Sequence, residues 1–233
     1  MIEDILRSGF PEMGISPAES AARDFTVYYH MLAEQNKVMN LTAINGEEDT
    51  ARLHFLDSLS PLKLFDMRGK SVIDVGTGAG FPGLPLRIAV PGMKLTLLDS
   101  LNKRVDFLRS VCAELGYDDV ECVHARAEEC GDRRESYDFS VSRAVARLNV
   151  LCELCLPYVS TGGYFLALKG PAISDELREA EKCISLLGGE VEQIYEYSVP
   201  GVELSHNIAV IKKVRSTPKK YPRRFAIIKK SPL

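Results

Sequence analysis

The chain has 233 residues, 45% hydrophobic and 26% charged, which suits a soluble globular protein with one large domain and an appendage. No run approaches the roughly 18 apolar residues that span a bilayer, and the acidic start Met1-Ile2-Glu3-Asp4 lacks a signal-peptide apolar segment, so a cytoplasmic protein is expected. The net charge of −3 is unevenly placed: nine Lys or Arg and no acid follow residue 211, leaving residues 1–211 at −12 and suggesting one surface for an anionic partner.

Residues 1–65 lack strand-like alternation and form the expected helical extension, packed on the main domain. Ser16-Pro17-Ala18-Glu19 offers an N-cap, a first-turn proline and an N3 glutamate, predicting a helix over 17–36 with Ala21, Phe25, Tyr28, Tyr29 and Leu32 on one face. Asn40 to Gly46 reads as loop, and 47–65 as further helix broken at Pro61. From Lys70 the pattern alternates: strands near 71–76, 94–99, 120–125, 137–142 and 164–169, helices near 83–90, 102–115, 146–158 and 174–187. This predicts an α/β fold with a mostly parallel sheet over 66–215. The last runs, 190–199 and 207–214, are joined too briefly for a crossover helix and predict an antiparallel hairpin at the sheet edge. Residues 216–233 form a basic tail.

Ser71-Val72-Ile73-Asp74-Val75-Gly76-Thr77-Gly78-Ala79-Gly80-Phe81-Pro82-Gly83 is an apolar strand that runs into glycines and then a helix, the way an α/β protein lets backbone approach a nucleotide. Gly78-x-Gly80-x-x-Gly83 matches a dinucleotide fingerprint, and Asp74-x-Gly76-x-Gly78-x-Gly80 matches the S-adenosylmethionine form. The acid separates them, because Asp74 would repel a pyrophosphate and attract a sulfonium and an ammonium. Asp99, ending the next strand, can accept hydrogen bonds from ribose hydroxyls with either cofactor. Ala127-Glu128 follows the third strand where adenine would rest, with Phe81 as an apolar contact.

Arg143, Arg147 and Lys169 end strands four and five and face the substrate entrance, as phosphate contacts or as partners of loop acids such as Asp132 or Glu135. His54, near Arg52 and Asp57, suits a helical cap or RNA contact. His30, His124 and His206 are scattered, and neither a metal site nor a triad is expected. The six cysteines, Cys152-x-x-Cys155 included, are expected as free thiols in the core.

Asn40-Leu41-Thr42, Arg52-x-His54-x-x-Asp57-Ser58-Leu59, the Asp74–Gly83 turn, Asp99-Ser100-x-x-Lys103-Arg104, Arg126-Ala127-Glu128, Ser142-Arg143-Ala144-Val145-Ala146, Leu168-Lys169-Gly170 and Thr217-Pro218-Lys219-Lys220-Tyr221-Pro222-Arg223 closely resemble the bacterial RsmG (GidB) family. The resemblance implies a Rossmann-like class I methyltransferase with a seven-stranded sheet that moves a methyl group from S-adenosylmethionine to N7 of a guanine in 16S ribosomal RNA. It implies cofactor contacts at Gly76, Phe81, Ala127, Glu128 and Arg143, beside Asp74, Gly78, Gly80 and Asp99 read from the turn. No catalytic base is expected, since guanine N7 carries a free lone pair. RNA contacts are expected from Arg52, His54, Arg147, Lys169, Lys219, Lys220, Arg223 and Arg224, with 16S RNA or the small subunit as partner and a monomer as the simpler state. The sequence departs from the family where Phe225-Ala226-Ile227-Ile228 replaces a basic run with Gly and Pro. Two other readings are an NAD-dependent dehydrogenase using Gly78, Gly80 and Gly83, and a non-catalytic RNA-binding assembly factor.

Overall fold

The computed structural model describes residues 1–143 and 146–233, so Ala144 and Val145 lie outside the described residues. Seven strands make one sheet: β1 (Ser71–Val75), β2 (Lys94–Asp99), β3 (Glu121–His124), β4 (Tyr137–Arg143), β5 (Val159–Lys169), β6 (Gly189–Ser198) and β7 (Ser205–Lys213). Their order is β3-β2-β1-β4-β5-β7-β6. β1 pairs in parallel with β2 on one side and β4 on the other, so strand order reverses between β1 and β4. A crevice therefore opens beyond their carboxyl ends, where ligands of open α/β sheets bind.

Side chains on β1 alternate faces, as the period of a strand requires. Val72 joins one core with α1 (Ile2–Glu12), α2 (Ala21–Met39), α4 (Gly83–Ala89) and α5 (Asn102–Glu114). Ile73 joins the other, with α6 (Leu148–Cys155), α7 (Ile173–Leu186) and α8 (Phe225–Lys230). All six cysteines are free thiols, five of them buried.

Four local expectations are adjusted. α2 begins at Ala21 rather than at Pro17, and the Ala18 N–H before it donates to the Ala89 carbonyl at the end of α4 (3.1 Å). The segment after the short helix α3 (Glu47–Asp49) is a π-helix, Thr50–Leu56, in place of a regular helical turn. β5 starts at Val159, five residues early, and its register shifts against β4. β6 and β7 do pair as an antiparallel hairpin, yet β7 lies inside, between β5 and β6. α7 carries the chain past one strand position, and the returning β7 fills it.

Gly83 shows why the sheet and α4 meet so closely. A Cβ there would stand 2.8 Å from the Asp74 side chain and 2.9 Å from Leu97 Cδ2. Gly83→Ala is expected to destabilise the fold by about 1–3 kcal/mol through overpacking, read as a lower urea midpoint at unchanged slope.

Candidate functional site

The glycine turn is built on Asp74. Its side chain is wholly buried, and Oδ2 accepts hydrogen bonds from Thr77 Oγ1 (2.7 Å) and from the Gly83 N–H (2.8 Å). Oδ1 has no partner, and burial pushes the carboxyl up to about 7. Gly76, Gly78 and Gly80 take positive φ of 73°, 61° and 111°, which carries the backbone over this acid. The Gly83 amide at the start of α4 is thus already bonded to a carboxylate. A pyrophosphate arriving there would meet an acid in place of a free donor, which argues against a dinucleotide.

Asp99 locks the other side of the turn. Oδ2 accepts from the Gly78 N–H (2.9 Å), Oδ1 accepts from the Leu101 N–H (2.9 Å), and the Arg104 guanidinium stands 3.4 Å away. Two cavities meet at Gly76, Asp99 and Ser100. The larger, about 1020 Å³, is lined by Gly76, Gly78, Phe81, Asp99 and Arg143 among the residues expected to touch cofactor. The smaller, about 140 Å³, adds Ala127 and Glu128. Asp74 and Gly80 line neither cavity. Asp74 thus lies beneath the turn, and Gly80 passes against the Tyr28 hydroxyl, 2.5 Å from where a Cβ would stand.

Arg143 draws the N-terminal extension into the site. Its Nη1 donates to Asp57 Oδ2 (2.8 Å) and to the Leu53 carbonyl (3.1 Å) on the π-helix, and its Nη2 donates to His54 Nδ1 (2.9 Å). An arginine only donates, so the His54 proton sits on Nε2 and is given to Thr42 Oγ1 (2.7 Å). The His54 ring stacks on Phe81 at 4.3 Å, and the guanidinium covers the same phenyl at 4.8 Å. Asp57 Oδ1 accepts from Tyr197 Oη and His206 Nδ1, both at 2.7 Å. Burial raises the Asp57 carboxyl, but bonds from His206, Arg143 and Tyr197 outweigh it and hold the group below its ordinary range. Burial, with Arg143 alongside, lowers His54 to about 3.

His206 is thus not a scattered histidine. It lies at the start of β7, and because β7 runs antiparallel its first residues sit at the edge where β4 and β5 end. That antiparallel placement was the signal available in the sequence. His54 is 7% exposed and committed to Arg143 and Thr42, so it is a structural member of the network. Among the described residues no group of three or more His, Cys, Asp or Glu could hold a metal ion.

The cations expected at RNA divide into two kinds. Arg52 bonds Glu48 Oε1 (3.1 Å) and the Pro200 carbonyl (2.5 Å), fastening the π-helix to the β6–β7 loop. Lys169 is buried against Glu176 (2.7 Å), and Arg147, exposed at the rim, pairs with Glu179 (2.6 Å). Both partners lie on α7, not in the loop holding Asp132 and Glu135. Arg223 forms a paired-oxygen bridge with Glu153, while Lys219, Lys220 and Arg224 are exposed.

A family model described as rRNA small subunit methyltransferase G (GidB) matches residues 21–204. The ribosomal RNA small subunit methyltransferase G of Alkaliphilus oremlandii is 51% identical, covering 100% of this chain and 99% of the relative. That of Clostridium botulinum is 44% identical over 99% and 98%. The chain belongs to the rRNA small subunit methyltransferase G family. A SAM-dependent methyltransferase from Aquifex aeolicus superposes with a TM-score of 0.53 at 22% identity, covering 70% of this chain and 92% of that one, which supports the Rossmann-like class I methyltransferase fold. No helix among the described residues is long and apolar enough to cross a membrane.

The network yields a pH signature. Unfolded His54 takes up a proton near its ordinary pKa of 6.5 while folded His54 stays neutral down to about 3, so its contribution favours folding above pH 6.5 and fades between 6.5 and 3. His54→Gln is expected to flatten the fall in melting temperature across that window. Asp57→Ala, which strands the buried Arg143 charge, is expected to cost roughly 3 kcal/mol or more in denaturant unfolding.

Proposed function

We propose that the chain transfers a methyl group to N7 of a guanine in 16S ribosomal RNA, in the cytoplasm and as a monomer, with S-adenosylmethionine as donor. The observation that carries the reading is the carboxylate-backed glycine turn beside Asp99, in a chain of the rRNA small subunit methyltransferase G family. Residues 1–65 and 216–233 serve in it as extensions that complete a site built on residues 66–215.

The residues present fit this donor. The glycines leave the crevice wall open to a close ligand, and Asp74 Oδ1 is a buried carboxylate oxygen with no partner. A cation over the turn would favour the ionised form of that acid through a low-dielectric gap. Asp99 offers its carboxylate to ribose hydroxyls from the end of β2. S-adenosylmethionine supplies a methyl on a sulfonium, which passes to the N7 lone pair as the carbon–sulfur bond breaks, leaving S-adenosylhomocysteine and a cationic 7-methylguanine.

No residue needs to remove a proton, because N7 carries none. The chain's contribution is alignment and exclusion of water. Phe81, stacked on His54 and covered by the Arg143 guanidinium, presents an apolar wall beside the turn. Lys169 donates to Glu176 and to the Ala146 carbonyl (2.5 Å), fixing the rim where a base would enter. Arg147 can exchange exposed Glu179 for a phosphate, and Lys219, Lys220 and Arg224 offer further cations on the tail.

Incubating the protein with unmodified small-subunit RNA or subunits and labelled donor is expected to place label on one guanine at N7; label on another atom, or none on any RNA, overturns the reading. Asp74→Ala is expected to weaken S-adenosylhomocysteine binding by about tenfold or more in calorimetry, by releasing Thr77 and the Gly83 amide. Neutralising Lys219, Lys220 and Arg224 together is expected to weaken RNA binding and lower the salt slope by roughly two to three.

A further inference from the structure

The C-terminal segment is not a free basic arm. The Arg223 guanidinium grips Glu153, whose side chain is wholly buried in α6, at 2.6 and 2.8 Å, and the Arg223 N–H adds a bond to the same carboxylate (2.8 Å). Arg134 donates to the Thr217 carbonyl (2.8 Å) and to the Tyr221 carbonyl, and Ile228 is wholly buried against the α6 face of the sheet. These anchors deliver Phe225 to the mouth of the smaller cavity. Its N–H donates to Glu128 Oε1 (3.2 Å), so the tail is bonded to a residue expected at adenine.

That cavity has apolar walls from Leu98, Ala125, Leu151, Leu154 and Phe225, with Asp99, Ser100, Arg126 and Glu128 along its polar margin. Apolar faces with one polar margin suit a flat heteroaromatic ring. The slot opens at Asp99, the acid placed for ribose hydroxyls, so a base carried on that ribose reaches the slot directly. The same four residues Phe225-Ala226-Ile227-Ile228 that break the family's basic run supply both the wall and its anchor.

We propose that Phe225 walls the purine subsite of the methyl-donor cavity, making the C-terminal segment part of the cofactor site. This rests on the donor reading above. A purine in the slot lies between the Phe225 ring and the aliphatic side chains of α6, and the tail is held closed over it by Arg223 and Glu153.

The chain has no tryptophan, so Phe225→Trp creates a single tryptophan that can be excited apart from the nine tyrosines. Titration with S-adenosylhomocysteine is expected to change its emission and to saturate at the concentration calorimetry gives for the unaltered protein. Ile227→Trp, at a position 49% exposed, is expected to keep its emission. Phe225→Ala is expected to weaken S-adenosylhomocysteine binding by roughly 5- to 150-fold, the range that base–aromatic stacking supports, and Phe225→Tyr to restore it. Unchanged emission from the Phe225→Trp protein while ligand binds, or wild-type affinity in a folded Phe225→Ala, overturns the proposal. Failure of the unaltered protein to bind S-adenosylhomocysteine instead overturns the donor reading. Should Phe225→Ala not fold, the emission measurement decides alone.

Discussion

One guanidinium joins the parts of this molecule. Arg143 ends the strand beside β1, is almost out of reach of solvent, and spends its donors on Asp57, His54 and a π-helix carbonyl. A buried arginine costs several kcal/mol in desolvation unless each donor is met, so the N-terminal extension has to be where it is for β4 to end as it does. The π-helix is fastened to the end of β4 by the bond from Arg143 to the Leu53 carbonyl (3.1 Å). Phe81 packs against this bonded pair, the His54 ring at 4.3 Å and the guanidinium at 4.8 Å, and so forms the far wall of the glycine turn.

The turn itself works by a similar principle at smaller scale. Two carboxylates, Asp74 below and Asp99 beside, hold the amides of Gly83 and Gly78. The backbone is arranged before any ligand arrives, so binding energy need not be spent on ordering the loop. Asp74 already holds the Gly83 amide that a pyrophosphate would need, while the crevice itself is lined by both signs of charge, Asp57, Asp99 and Glu176 beside Arg104, Arg143 and Lys169. Arg147 stands exposed at its rim, and Lys219, Lys220 and Arg224 are exposed on the tail.

The two extensions close the site from opposite sides. α2 reaches the turn through Tyr28, whose hydroxyl donates to the Ala79 carbonyl, and the C-terminal segment reaches it through Phe225 and Glu128. Arg52 and Arg223, which resemble RNA-binding cations in sequence, instead fasten these extensions to the sheet domain. A cation's charge is visible in sequence, but whether a carboxylate waits within 3 Å of it is not.

The sequence by itself determined the α/β alternation, the parallel strands, the donor turn and the acids at 74, 99 and 128, because each depends on period, glycine placement or charge within a short window. Motif resemblance added the family. Only the tertiary structure decided that Asp74 lies beneath the turn, that β7 inserts between β5 and β6, that His206 joins Asp57, and that Phe225 stands at the small cavity. Each of these joins residues far apart in the chain, Asp57 to His206 and Glu128 to Phe225 among them, and such contacts are settled by packing and by the satisfaction of buried charge. The local pattern that makes a helix or a strand carries no record of them.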